Sequence, residues 1–241
     1  MGSRQCAATP DRAPARRRRT SRPAAVAVLS ALLLIACDGG HGSPLAAFES
    51  RCAALPTTRF DVVDVPVTYA EDRSQSIDEL TLRGGSTPAT HATFGLTTVR
   101  FGHQTEIELK IVDDAAGART CGTAAVRVEL SMQPVTVYIA REIDRTPCTR
   151  DATFAHELKH VAVFRDVLNE AARDLSADLA EAMGTGLRRA ASRHELERAF
   201  NAQLQAYLAV FMSQWQREMN ARQDGVDSPE EHERTATACR R

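Results

Sequence analysis

Lysine is nearly absent from this 241-residue chain: Lys110 and Lys159 are the only two among 30 basic residues. Aromatic residues are scarce as well, at 5%, with Trp215 the single tryptophan. The first shortage, together with the acidic balance described below, removes the cationic footprint that a phosphate backbone requires, so no nucleic-acid partner is expected. The second leaves no stacking platform for a glycan or a nucleotide. No C-x-x-C spacing occurs, which takes away the usual thiolate zinc site and thioredoxin-like chemistry. Internal repeats are missing, and composition excludes collagen-like and coiled-coil classes. With 43% hydrophobic and 25% charged residues, the length suits one ordinary globular domain with something added.

The addition is at the amino end. Residues 1–36 carry seven Arg and one Asp, so the formal charge of -1 conceals 23 basic and 30 acidic residues from Cys37 onward. Arg16 to Arg19 and Arg22 form a basic stretch, and residues 24–36 are an apolar run of 13, the length of a signal-peptide core and too short for a permanent membrane span. The sequence Leu34-Ile35-Ala36-Cys37 that closes it resembles a bacterial lipoprotein signal. That resemblance implies a signal peptide over 1–36, lipidation at Cys37, and a domain held on a bacterial membrane by its anchor, facing the periplasm or the cell exterior. Residues 37–57 open rich in Gly, Ser and Pro and read as a tether, leaving 58–241 as the domain. With Cys6 in the signal and Cys37 lipidated, Cys52, Cys121, Cys148 and Cys239 remain. An even number in an oxidising compartment points to two disulfides, with three pairings open.

Within the domain the first half alternates with period two. Val63, Val65, Val67 and Tyr69 form one such run; Ile107, Leu109 and Ile111, then Val126, Val128 and Leu130, then Val135, Val137 and Ile139 form three more. A less regular fifth includes Phe94, Leu96, Val99 and Phe101. Alternation signifies one wet face, so an antiparallel sheet of four or five strands is expected. After Cys148 the period becomes helical. Val161, Phe164, Leu168, Ala172, Leu175, Leu179 and Met183 predict a long helix over 151–183 that ends at Gly184. Ser192 and Glu195 make a capping box for a returning helix over 193–222, and Ser228-Pro229 starts a third. The class is α+β.

The first helix contains His156-Glu157-Leu158-Lys159-His160. Residues i and i+4 share a helix face, so both imidazoles can reach one metal ion, while Glu157, about 100° around, can contact the attacking water without being a ligand. This is the H-E-x-x-H pattern of zincin metallopeptidases, which implies one Zn2+, Glu157 as catalytic base, and hydrolysis of a peptide or protein substrate in the envelope. His194-Glu195-Leu196-Glu197-Arg198 repeats the opening but has Arg where the second His is needed, so it cannot chelate.

Catalytic zinc takes three protein ligands, and the third lies outside the motif. Asp166 has the spacing of the last metzincin ligand, but Val163 replaces the glycine turn that family needs, leaving Asp166 about 240° away on a continuing helix. A helical hairpin turning near residue 188 sets 160 against about 216 and 156 against about 220. The inner stripe Leu204, Leu208, Phe211, Trp215 then lands on Glu218, a carboxylate at an apolar position, which resembles the two-His-plus-Glu arrangement of gluzincins. Glu218 is therefore the first choice for third ligand. The tail adds Asp224, Asp227, Glu231 and His232. The stretch from Val137-Tyr138-Ile139-Ala140-Arg141-Glu142 through Cys148 and HELKH to the D-S-P-E-E-H tail and Cys239 resembles a group of exported bacterial proteins described as zinc proteases. Over about the last 150 residues that resemblance implies a zincin-like fold, with Asp227 or His232 approaching the metal. A hairpin in such a fold pairs Cys148 with Cys239 and leaves Cys52 for Cys121. No oxyanion stabiliser is singled out; Tyr138, Tyr207 and His232 are the available types. The competing reading is a non-catalytic envelope lipoprotein or binding module on the same scaffold.

Overall fold

Strand β4 (Thr120–Ile139) is the axis on which everything else is hung. Strand β3 (Gly95–Asp113) lies antiparallel along one whole edge, from Asp113 opposite Thr120 to Gly95 opposite Ile139. The other edge carries three short segments end to end. These are β5 (Arg188–Ala190), antiparallel to residues 120–122, then β1 (Arg59–Asp64) and β2 (Tyr69–Asp72), both parallel to β4. The computed structural model describes residues 43–89 and 92–240.

The sheet is thus mixed rather than antiparallel throughout. Alternation records which face is wet and is silent about direction. Arg59 faces Ala125 and Tyr69 faces Val135, one constant register, so β1 and β2 are a single strand broken at 65–68, where Pro66 has no N–H to give. The Val63 to Tyr69 run spans that break. The four remaining runs merge in pairs into β3 and β4. Val126, Val128, Leu130 and Met132 are buried, then Val135, Val137 and Ile139, a phase change of one residue. Val99 faces Val135 while Phe101 faces Met132, so β4 bulges at Gln133-Pro134. The bulge keeps both apolar sets on one face; without it the second set would turn to solvent.

That face is covered by α3 (Pro147–Met183), which starts with Pro in its first turn and ends at Gly184, φ 71°. Val161, Phe164, Leu168, Leu175 and Leu179 are buried against the β4 valines, the stripe expected from the spacing. Helix α4 (Arg193–Val226) returns alongside, four residues longer than expected and passing through Gly225. Its cap is half the anticipated box: Ser192 accepts from the Glu195 N–H, but the Glu195 carboxylate takes the Ala191 N–H. The hairpin is offset as well. Gln203 donates to the Ala182 carbonyl, Tyr207 meets Asp178, and Gln223 meets His160. A turn at residue 188 would put 216 opposite His160. The shift of seven arises because the first two turns of α4 overhang the end of α3, with Leu196 lying against Gly122 of β4.

Three short α-helices and a 3-10 turn (Arg141–Arg145) complete the domain. Helix α1 (Pro44–Ala53), capped by Ser43, falls inside the stretch read as a tether; Phe48 and Cys52 dock it against Cys121 in a small second core. Helix α2 (Ile77–Arg83) has a full capping box from Ser76 and Glu79. Helix α5 (Pro229–Thr237) begins at Ser228-Pro229 as expected. Disulfides join Cys52 to Cys121 and Cys148 to Cys239, the expected pairs, and suit an oxidising compartment outside the cytoplasm. No helix among the described residues is long and apolar enough to cross a membrane. Residues 1–36, read as a signal peptide, and Cys37, read as the lipidation site, lie outside the described residues.

Candidate metal centre

Three polar residues of α3 occupy the core-facing stripe that Val161 and Phe164 continue. His156 is 8% exposed, Glu157 4% and His160 9%. Histidines on a solvated helix face would be open to water; these are not. Buried polar groups need partners. The stripe divides its own between two sides, with Glu157 turned to β3 and the histidines turned to the end of α4.

On the β3 side, the Thr97 hydroxyl donates to Glu157 Oε2 at 2.7 Å. The other oxygen, Oε1, lies against Gly95, where a Cβ would come within 2.5 Å of it. Gly95 therefore makes room for the carboxylate. Burial pushes the Glu157 pKa up; the Thr97 hydrogen bond and the two histidines pull the other way and only partly offset it.

On the α4 side the stripe Trp215, Met219, Gln223, Asp227 advances in steps of four and delivers its last two members to the histidines. Asp227, the C-cap of α4, places Oδ1 3.2 Å from His156 Nε2 and 3.1 Å from His160 Nε2. The rings of His156 and His160 stand edge to face with centroids 5.1 Å apart. Gln223 Nε2 donates to the His160 carbonyl at 3.3 Å, which turns Gln223 Oε1 toward His160 Nδ1. With Nδ1–H donated there, a neutral His160 directs its Nε2 lone pair at a carboxylate oxygen. That contact is attractive only with a cation at Nε2, either a second proton or a metal ion. Consistently, hydrogen bonds to Asp227 and Gln223 raise the His160 pKa, although burial alone would lower it. Hydrogen bonds from both histidines hold Asp227 far below the usual carboxylate range against the effect of burial. His156 Nδ1 is buried without a hydrogen-bond partner. His232, from α5, brings Nε2 to 3.6 Å from the same Asp227 oxygen. Donor atoms of His156, Asp227 and His232 lie within 4.8 Å of one another.

The other sequence candidates are elsewhere. Glu218 is 57% exposed and bonded to Arg222 at 2.7 Å, because the stripe steps by four from Trp215 to Met219 and leaves 218 outside it. Asp166 is exposed on the far side of α3. Tyr138 lies under the Arg83 guanidinium and Tyr207 beside Asp178, so His232 is the one of the three oxyanion candidates at the site. Thr97, Gly95 and Gln223 were not anticipated. Gln223 was readable as the next step of four on the α4 stripe; Thr97 and Gly95 belong to a strand whose pairing no local pattern discloses. No family model matches the chain, and searches of curated proteins and of solved structures return no match.

Proposed function

We propose that the protein is a zinc-dependent peptidase of the bacterial cell envelope, with His156, His160 and Asp227 as metal ligands and Glu157 as general base. The observation that carries this reading is the His160 contact, an imidazole whose tautomer is fixed by Gln223 and whose free nitrogen faces a carboxylate. An outer partner that orients a ligating imidazole is the usual support of a metal site. Two imidazoles and a carboxylate are a zinc donor set. Zinc held there acts as a Lewis acid on a peptide carbonyl and makes the attacking water more acidic.

The rest falls to the chain's own groups. Thr97 fixes one oxygen of Glu157 and leaves Oε1 to take the proton of the attacking water and return it to the leaving amine. The raised Glu157 pKa favours the first of these transfers, since a carboxylate with high proton affinity is the better acceptor of the water's proton. Among the described residues, β3 pairs with β4 alone, so its second edge is open to an extended peptide. Backbone pairing along Gly95 to Val99 would carry such a peptide past Glu157. The signal-like segment and the two disulfides support the envelope as the place of action. The test is Glu157→Gln. Zinc content should stay at the wild-type level while hydrolysis of a casein or peptide-library substrate disappears; unchanged hydrolysis would refute the assignment, and a wild type with zinc but no hydrolysis would favour a binding module.

A further inference from the structure

Helix α5 has almost nothing apolar with which to dock. Of its nine residues only Glu231 is buried, and at that length a helix is marginal by itself. Yet α5 is held against the first four turns of α3 by two devices. Glu231 is ion-paired with Lys159, one of the chain's two lysines and a member of the H-E-x-x-H motif, and with Arg234. The disulfide Cys148–Cys239 ties the residue just beyond α5 to the first turn of α3. The bond thus ties together the two helices that bear the histidines, His156 and His160 on α3 and His232 on α5.

The side chain so delivered is His232. It is 54% exposed, its ring centroid is 5.8 Å from that of His156, and its Nε2 closes the cluster with His156 and Asp227. His232 thus stands beside Asp227 and His156, at the exposed side of the buried histidine pair. We propose that His232 is a fourth protein ligand of the metal, and that α5 is a disulfide-latched cap which closes the site. The inference rests on the zinc reading above and extends it to regulation. Zinc with four protein donors has no open position, the mark of a resting or structural site, whereas hydrolysis needs one. His232 must then leave the metal for substrate to enter, and the Cys148–Cys239 bond sets how readily α5 allows it.

The test uses zinc binding and coordination, not turnover. Zinc affinity by chelator competition and ligand identity by X-ray absorption at the zinc edge would be compared for the oxidised wild type, His232→Ala, and Cys148→Ser/Cys239→Ser. The wild type should show three imidazoles. His232→Ala should show two, with zinc affinity reduced by at least about 10- to 100-fold, the range for losing even an outer partner of a metal site. The double serine variant, checked for folding by circular dichroism, should resemble His232→Ala. Two imidazoles in the wild type and unchanged affinity in His232→Ala would overturn the proposal and leave the three-ligand reading standing. Wild-type affinity in a folded double serine variant would overturn the latch. A wild type that takes up no zinc would defeat both readings together.

Discussion

Gly95→Ala is the substitution whose effect follows most directly from the structure. The added methyl would sit 2.5 Å from Glu157 Oε1, 2.6 Å from Thr153 Cγ2 and 2.9 Å from Glu157 Cγ. None of these separations is tolerable, so either Glu157 swings off Thr97 or the start of β3 withdraws from α3. Overpacking of this kind costs about 1–3 kcal/mol. Loss of the Thr97 bond to a charged acceptor costs about 1.5–3 kcal/mol, and relaxation trades one against the other. A net loss of about 2–3 kcal/mol is expected, or roughly 5–10 °C in Tm at about 2–4 °C per kcal/mol for a domain of this size. Gly102 on the same strand is the control, since a Cβ there meets nothing within 4 Å. Gly102→Ala should be neutral, or stabilising by up to about 1 kcal/mol because alanine restricts the unfolded chain. Thermal and urea unfolding with chelator present keep metal binding out of the comparison. Equal stability of the two variants would refute the placement of Glu157 against β3.

Three further outcomes are expected. Without metal, the raised pKa values of Glu157 and His160 mean that the folded state holds protons more tightly than the unfolded chain. The His160 contribution is complete below its unfolded value near 6.5 and is lost as pH rises through the folded one, and the Glu157 penalty grows upward from 4.5. The depressed pKa of Asp227 acts in the acid range, where its contribution disappears as pH falls below 3.8. Melts with chelator should therefore decline from about pH 5 to pH 8, and zinc, which competes with those protons, should reverse the slope; a flat metal-free profile would contradict the shifts. Glu218→Ala should leave zinc binding untouched because its carboxylate is spent on an exposed pair with Arg222, and loss of zinc in that variant would return Glu218 to the ligand set. Reducing both disulfides should lower stability by about 2–5 kcal/mol for each bond, read from the urea midpoint, given sequence separations of 69 and 91.

What the sequence discloses about this fold is what is local. His156, Glu157 and His160 are fixed relative to one another by helical geometry alone, so their spacing suffices. Helix starts at Ser192 and Ser228-Pro229 are legible for the same reason. Ser43-Pro44 carries the same signal for α1, but its Gly-rich surroundings read as a tether. The carboxylate that meets the two histidines is not local. Its identity depends on where α4 ends and how far it overhangs α3, and a seven-residue offset in the hairpin exchanges Glu218 for Asp227. The sheet shows the same division. Alternation marks the strands, yet the parallel course of β1 and β2 and the bulge at Gln133-Pro134 follow from pairing across the chain. Thr97 reaches Glu157 only through that pairing.

The central claim is that His156, His160 and Asp227 hold a metal ion. Elemental analysis of the purified protein after dialysis against zinc tests it directly, comparing wild type with His160→Ala, Asp227→Ala and Glu218→Ala. About one zinc per chain in the wild type and in Glu218→Ala, with loss in the other two, is the expected result. A folded wild type without zinc, or full occupancy in Asp227→Ala, would contradict it.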